Sequence, residues 1–140
     1  MRYGSTLIVL AVGIVATVGT ASAQYVPRFS LLRAEQAAGR KLFDDHCAAC
    51  HTQSPGTRVV FGPNLDGVVG RRAASAAGFP YSEALQKSGL VWTEDNLRKW
   101  IADSAQMVPG TLMPHASITD PAEQIYVIAY LKTLKGSAPR

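Results

Sequence analysis

CAACH, residues 47–51, holds both of the chain's cysteines and sets a histidine directly after the second. Two thiols and an imidazole lie within five residues, and no further cysteine exists to pair with them. A disulfide between Cys47 and Cys50 would close so short a loop that it would constrain the unfolded chain very little. The cluster therefore asks for a chemical use rather than a stapling one.

The residues around it frame that use. Upstream, Ala34 to about His46 is made of good helix formers, with Gly39, Leu42 and Phe43 on one face at i, i+3 and i+4. Downstream, residues 52–80 are rich in Gly, Pro, Ser and Thr and show little periodicity. This predicts a loop, and loops of that length in a small domain usually have a job. A short helix is predicted from Ser82, stopped at Gly89. Another starts after Thr93, a good cap with Glu94 and Asp95 in the first turn, and carries Leu97, Trp100 and Ile101 on one side until Pro109-Gly110 breaks it. In the last helix Asp120 is the N-cap, Pro121 the first helical residue and Glu123 the partner in a capping box, with Gly136 as the stop. Val127, Tyr130, Leu131 and Leu134 form its stripe, flanked by Ile125 and Ile128. No segment alternates as a strand, and the fold class is all-α with long loops.

The chain opens with Met1 and Arg2, an apolar run from Leu7 to Val18 and the small residues Ala21-Ser22-Ala23. This is the pattern of a cleaved secretory signal peptide, residues 1–23. The run is short for a membrane span, which needs about 20 apolar residues, so an uncleaved anchor is the weaker alternative. Gln24–Arg33 is expected to be an N-terminal arm, 34–136 the folded domain and 137–140 a tail. Export implies the periplasm. The pI near 9.3 overstates the basic character. Removing Arg2 from the 14 Lys and Arg leaves 13 against 10 Asp and Glu, a net charge of +3. Arg71-Arg72 is the longest basic run, so no nucleic-acid footprint is present.

Three chemistries compete for the cluster. A dithiol redox motif activates its cysteine at a helix N-terminus, whereas here the helix precedes Cys47 and presents its negative end. A structural zinc site needs four ligands, usually in two pairs, and only His46 and His115 remain to supply a second. C-x-x-C-H is also the attachment motif of c-type haem, in which both thiols form thioethers and the histidine ligates iron. A bound haem would give a small chain the core it otherwise lacks, and the long loop something to wrap. Of the remaining methionines, Met107 lies near a helix end and Met113 lies within a loop.

Beyond the motif, GRKLFDDHCAACH, GPNLDGVVGR, GFPYSEAL, SGLVWTEDNL, VPGTLMP and VIAYLK resemble, in order and spacing, the small class I cytochromes c of bacteria and mitochondria. The resemblance covers roughly Gln36 to Lys135. It implies a few helices and long loops around one haem c, attached through Cys47 and Cys50, with His51 and Met113 as the axial iron ligands. It further implies that the carbonyl of Pro63 accepts from the His51 ring. Tyr81 and Trp92 would hydrogen-bond a haem propionate, and Arg71 would lie near the propionates. Gly39 and Phe43 would cross Val127 and Tyr130. The function implied is that of a soluble, monomeric, one-electron carrier between redox protein partners, not an enzyme, meeting membranes only through partner complexes. The alternatives are a fixed electron-accepting subunit of a larger oxidoreductase, or a haem peroxidase or gas-binding protein with an open iron.

Two departures stand out. Trp100 occupies the place of a family tyrosine close to the methionine ligand; the larger indole is expected to aim its donor elsewhere. The family's mitochondrial members carry a lysine ring at positions matching His46, Val60, Ala105, Gln106 and Leu112, so the docking face here is expected to be nearly neutral.

Overall fold

The computed structural model describes residues 27–54, 61–114 and 116–135. The expected signal peptide and cleavage site, Val60, His115, Gly136 and the tail lie outside them; the last helix, expected to run to Gly136, ends at Leu131 with Lys132 as its C-cap.

Helix α1, Arg28–His46, starts earlier than the expected Ala34, so most of the expected arm is helical. Pro27 stands at the N-cap with φ −59°, and its carbonyl accepts from the backbone N–H groups of Ser30 at 2.8 Å and Leu31 at 3.4 Å. A proline there has no N–H to leave unsatisfied, and no breaker follows until Gly39. The Arg33 guanidinium also lies 4.2 Å from the centre of the Phe29 ring, one turn away.

Helix α1 packs against the last helix, α5 (Pro121–Leu131), in the largest helix–helix contact of the fold. Gly39 makes the crossing possible. A Cβ built there would lie 1.8 Å from the backbone oxygen of Tyr126 and 2.9 Å from Cβ of Tyr130. Phe43, fully buried, meets the Tyr130 ring one turn further on at 5.5 Å between centroids. On α5, Val127, Ile128, Tyr130 and Leu131 are buried and Ile125 is exposed. Asp120 Oδ1 caps that helix by accepting from Ala122 N–H at 2.7 Å, worth about 1 kcal/mol.

Helix α2 (Glu83–Lys87) is capped by Ser82 and α3 (Glu94–Ala102) by Thr93. The helix expected to run on to Pro109 is instead split. Asp103 is extended, with φ −155° and ψ 95°, and serves both as the end of α3 and as the cap of α4 (Ser104–Met107), its carboxylate accepting from Gln106 N–H at 2.9 Å. An aspartate offers the backbone a local alternative to continuing the helix. Leu97, Trp100 and Ile101 turn from α3 into the core, joined by Ile118, Val68 and Val127.

The loops lie against this frame through backbone hydrogen bonds. Gly62 N–H reaches Cys50 O at 2.8 Å, Leu65 N–H reaches Thr52 O at 2.8 Å, and Gly67 N–H reaches Leu134 O at 2.9 Å. The extended structure among the described residues is one isolated antiparallel bridge, Arg72 with Val91. No described helix is long and apolar enough to cross a membrane.

Candidate functional site

The end of α1 places the CAACH stretch. Cys47 N–H still bonds to Phe43 O at 2.8 Å, and His51 N–H turns back to Cys47 O at 2.9 Å. The turn brings both thiols and the imidazole to one wall of a cavity of about 820 Å³. The two cysteines are not bonded to each other. Burial, then the neighbouring Cys50, pushes the Cys47 thiol up to about 11. Among the described residues, no three His, Cys, Asp or Glu side chains are grouped as a metal ion would require.

His51 is oriented from behind. Its Nδ1 lies 2.9 Å from the carbonyl oxygen of Pro63, so Nδ1 donates and Nε2 keeps the lone pair. Burial lowers the His51 pKa, opposed by that hydrogen bond, and the ring is held neutral, as a metal ligand must be. Gly62 gives the ring its room: a Cβ there would come within 2.7 Å of His51 Cε1 and 2.8 Å of Nδ1.

Met113 lines the same cavity, whereas Met107 is packed against the core and does not figure among the lining residues. The sulfur of Met113 accepts a hydrogen bond from Trp100 Nε1 at 2.9 Å. This corrects the expectation that the indole would aim elsewhere. Trp92 packs on Trp100, with centroids 5.0 Å apart and planes at 59°. Spacing along the chain carries no sign of that orientation. Ser104, fully buried, adds a second hold by donating its hydroxyl to Met113 O at 3.0 Å. Sequence reading missed Ser104, because its role depends on the break at Asp103.

Arg71, Tyr81 and Trp92 also line the cavity, as does Pro63. Arg71 donates Nη1 to Asp66 O at 2.8 Å and Nη2 to Asn64 O at 3.0 Å, yet its buried Nε has no partner among the described residues. An orphaned charged donor beside a cavity calls for an anionic group from outside the chain. Tyr81 is half-buried, with Phe79 edge-on at 4.8 Å; burial raises its phenol pKa, against a backbone hydrogen bond with Ala76 and the charge of Arg71.

The wall is mostly apolar, with Phe43, Leu65, Val68, Leu85, Leu97 and Ile101 among its members. A flat apolar macrocycle with acidic side arms suits it in every respect on which the residues bear. It is large enough, its apolar wall has one unsatisfied cationic donor, and a neutral histidine and a thioether are available as nitrogen and sulfur ligands.

The fold and the site thus define a small all-α protein built around a covalently held haem. The cytochrome c family profile matches residues 36–135, and the chain belongs to that family. It resembles a cytochrome c2 of Rhodopila globiformis, 47% identical over 97 residues that span 69% of this chain and 91% of that one. A cytochrome c2 of Rhodoblastus acidophilus is 39% identical over 103 residues, 74% of this chain and 95% of the other. Among solved structures, cytochrome cH from Methylobacterium extorquens is 45% identical with a TM-score of 0.65, covering 70% of this chain and 97% of its own. As a family member the protein carries one covalent haem c and transfers electrons rather than catalysing a reaction on a substrate.

Proposed function

We propose that this is a soluble, periplasmic one-electron carrier whose haem is attached through Cys47 and Cys50 and ligated by His51 and Met113. When bound, the haem supplies an iron that alternates between ferric and ferrous. The chain's residues do the rest. Cys47 and Cys50 make the attachment permanent, which an exported protein needs if it is not to lose its cofactor. Pro63 fixes the His51 tautomer and ring plane, as the partner behind a metal-bound histidine does. Arg71 presents its unused Nε to a propionate, with Tyr81 and Trp92 beside it. With His51 and Met113 both holding the iron, no position on it would remain for a substrate. Met113 sulfur, together with the His51 nitrogen, would raise the potential of the iron they hold toward that of an electron-transfer centre.

One observation carries this reading. Four residues fit for attachment and ligation line the same cavity as an arginine whose buried Nε has no partner among the described residues. The partners are redox proteins that dock at the mouth of the cavity. Phe61 and Leu112, 75% and 77% exposed, line that mouth, and Ala105 and Gln106 lie exposed on α4. A neutral contact of this kind suits weak encounters that must release quickly.

The test is acid–organic extraction of the purified protein. Wild-type chain should retain its colour, and Cys47→Ser with Cys50→Ser should give colourless protein. Haem extracted from the wild type, or retained by the double variant, would overturn the attachment.

A further inference from the structure

We propose that the rim of the cavity mouth is a docking surface with a single titratable charge, His46, and that it suits a redox protein presenting an apolar patch with a carboxylate at its edge. The inference rests on the reading that partners dock at this mouth.

Among the described residues that line the cavity, six are exposed: His46, Phe61, Gly78, Pro80, Leu112 and Pro114. Five of these have no ionisable side chain. A partner that covers the mouth therefore meets apolar surface and one imidazole. His46 is the last residue of α1, the end of a helix at which a positive side chain is favoured. The corner that carries it is tied to the core, because Cys47 N–H bonds to the carbonyl of fully buried Phe43 at 2.8 Å.

The other ionisable groups around the mouth are already engaged. On α1, Asp44 pairs with Arg40 at 3.7 Å and Asp45 with Lys41 at 2.7 Å. In the cavity wall, Arg71 bonds to two backbone carbonyls, and Tyr81 is half-buried with its phenol pKa raised by that burial. Cys47, Cys50 and His51 are the attaching and ligating residues of the proposed site. Glu83, next to the lining Ser82, pairs with Lys87. Arg58 and His115 lie outside the described residues. An arginine keeps its charge throughout, so His115 alone enters the experiment as a control.

Histidine is the side chain whose charge changes between about pH 5 and 8. On an otherwise uncharged rim, one proton turns the surface that a partner approaches from neutral to cationic. A carboxylate at the partner's edge is then drawn in, while Phe61 and Leu112 supply apolar contact in either state. Acidification should favour a partner with an acidic edge and disfavour one with a basic edge.

The experiment uses the haem-loaded ferrous protein and two small oxidants, the hexacyanoferrate(III) anion and the tris(phenanthroline)cobalt(III) cation. Each takes one electron, leaving ferric protein and the reduced complex; the anion stands in for a carboxylate-edged partner. At low salt, a fall from about pH 8 to about pH 5.5 should speed oxidation by the anion about twofold to fivefold and slow oxidation by the cation by a similar factor, the worth of one exposed charge pair. Added salt should shrink both changes. His46→Gln should remove the pH response to both probes, whereas His115→Gln should keep it. Leu112→Glu tests whether electrons leave through the mouth, and should slow the anion and speed the cation at either pH. If Leu112→Glu moves neither probe, the docking reading fails and the inference with it. If Leu112→Glu acts as expected but His46→Gln keeps the wild-type pH response, or the wild type answers both probes alike, the inference alone is overturned.

Discussion

The helix crossing and the cavity are built in opposite ways. Where α1 meets α5, backbone touches backbone: Gly39 has no room even for a methyl group, and Phe43 is sealed against Tyr130. Around the cavity the loops leave large space and are positioned by scattered hydrogen bonds, from Gly62 to Cys50, from Arg71 to Asp66 and Asn64, and from Ser104 to Met113. Beside the cavity, an arginine Nε has no partner among the described residues. A small domain can be secure at one end and incomplete at the other, with the cofactor as the missing half of its core.

Substitutions that add one methyl group on each side test this contrast. Gly39→Ala should have the largest effect, since its Cβ meets fixed backbone. A loss of about 3 kcal/mol, seen as a lowered midpoint in denaturant, is expected from overpacking. Gly78→Ala is the control: its φ is +75° but nothing lies within 4 Å, so only about 1 kcal/mol of strain is expected. Equal losses at the two positions would erase the distinction.

Gly62→Ala should come next, and should strike function before stability. Its Cβ meets the His51 ring, so the ring must tilt or leave Pro63. An altered ferric spectrum with a midpoint lowered by less than that of Gly39→Ala is expected. An unchanged spectrum would show that Gly62 does not set the ring.

The smallest effect on stability belongs to the rim. Leu112→Lys should leave the midpoint within about 0.5 kcal/mol, as exposed substitutions do. Electron transfer by the wild type to its partner should change less than about threefold between low and physiological salt, because few charges steer the encounter. The lysine should slow that transfer and make it more salt-dependent. A steep salt dependence in the wild type would mean that charges gather at the docking face after all.

The sequence was most legible where structure is local. Ser82, Thr93 and Asp120 each cap the helix expected of them, and Gly39 and Phe43 lie where helix periodicity and family resemblance put them. It was least legible where a choice depends on what packs nearby. Residues Arg28–Arg33 could be arm or helix on propensity alone, and Pro27 was the overlooked start signal. The break at Asp103 was hidden behind the louder Pro109-Gly110. The Trp100 donor reaches Met113, thirteen positions on, while its ring packs against Trp92, and no spacing rule carries that. The cavity residues were found because cysteine, histidine and methionine announce their chemistry, whereas Ser104 looks like any serine until the fold buries it.

The central claim is that His51 and Met113 close one iron between them. The most direct measurement is the near-infrared spectrum of the ferric protein, compared in the wild type, Met113→Ala and Met107→Ala. The sulfur–iron band should be present in the wild type and in Met107→Ala. It should vanish in Met113→Ala, together with a fall in reduction potential, because the sulfur ligand that favours the ferrous state is gone. A band that survives in Met113→Ala and disappears in Met107→Ala would contradict the account.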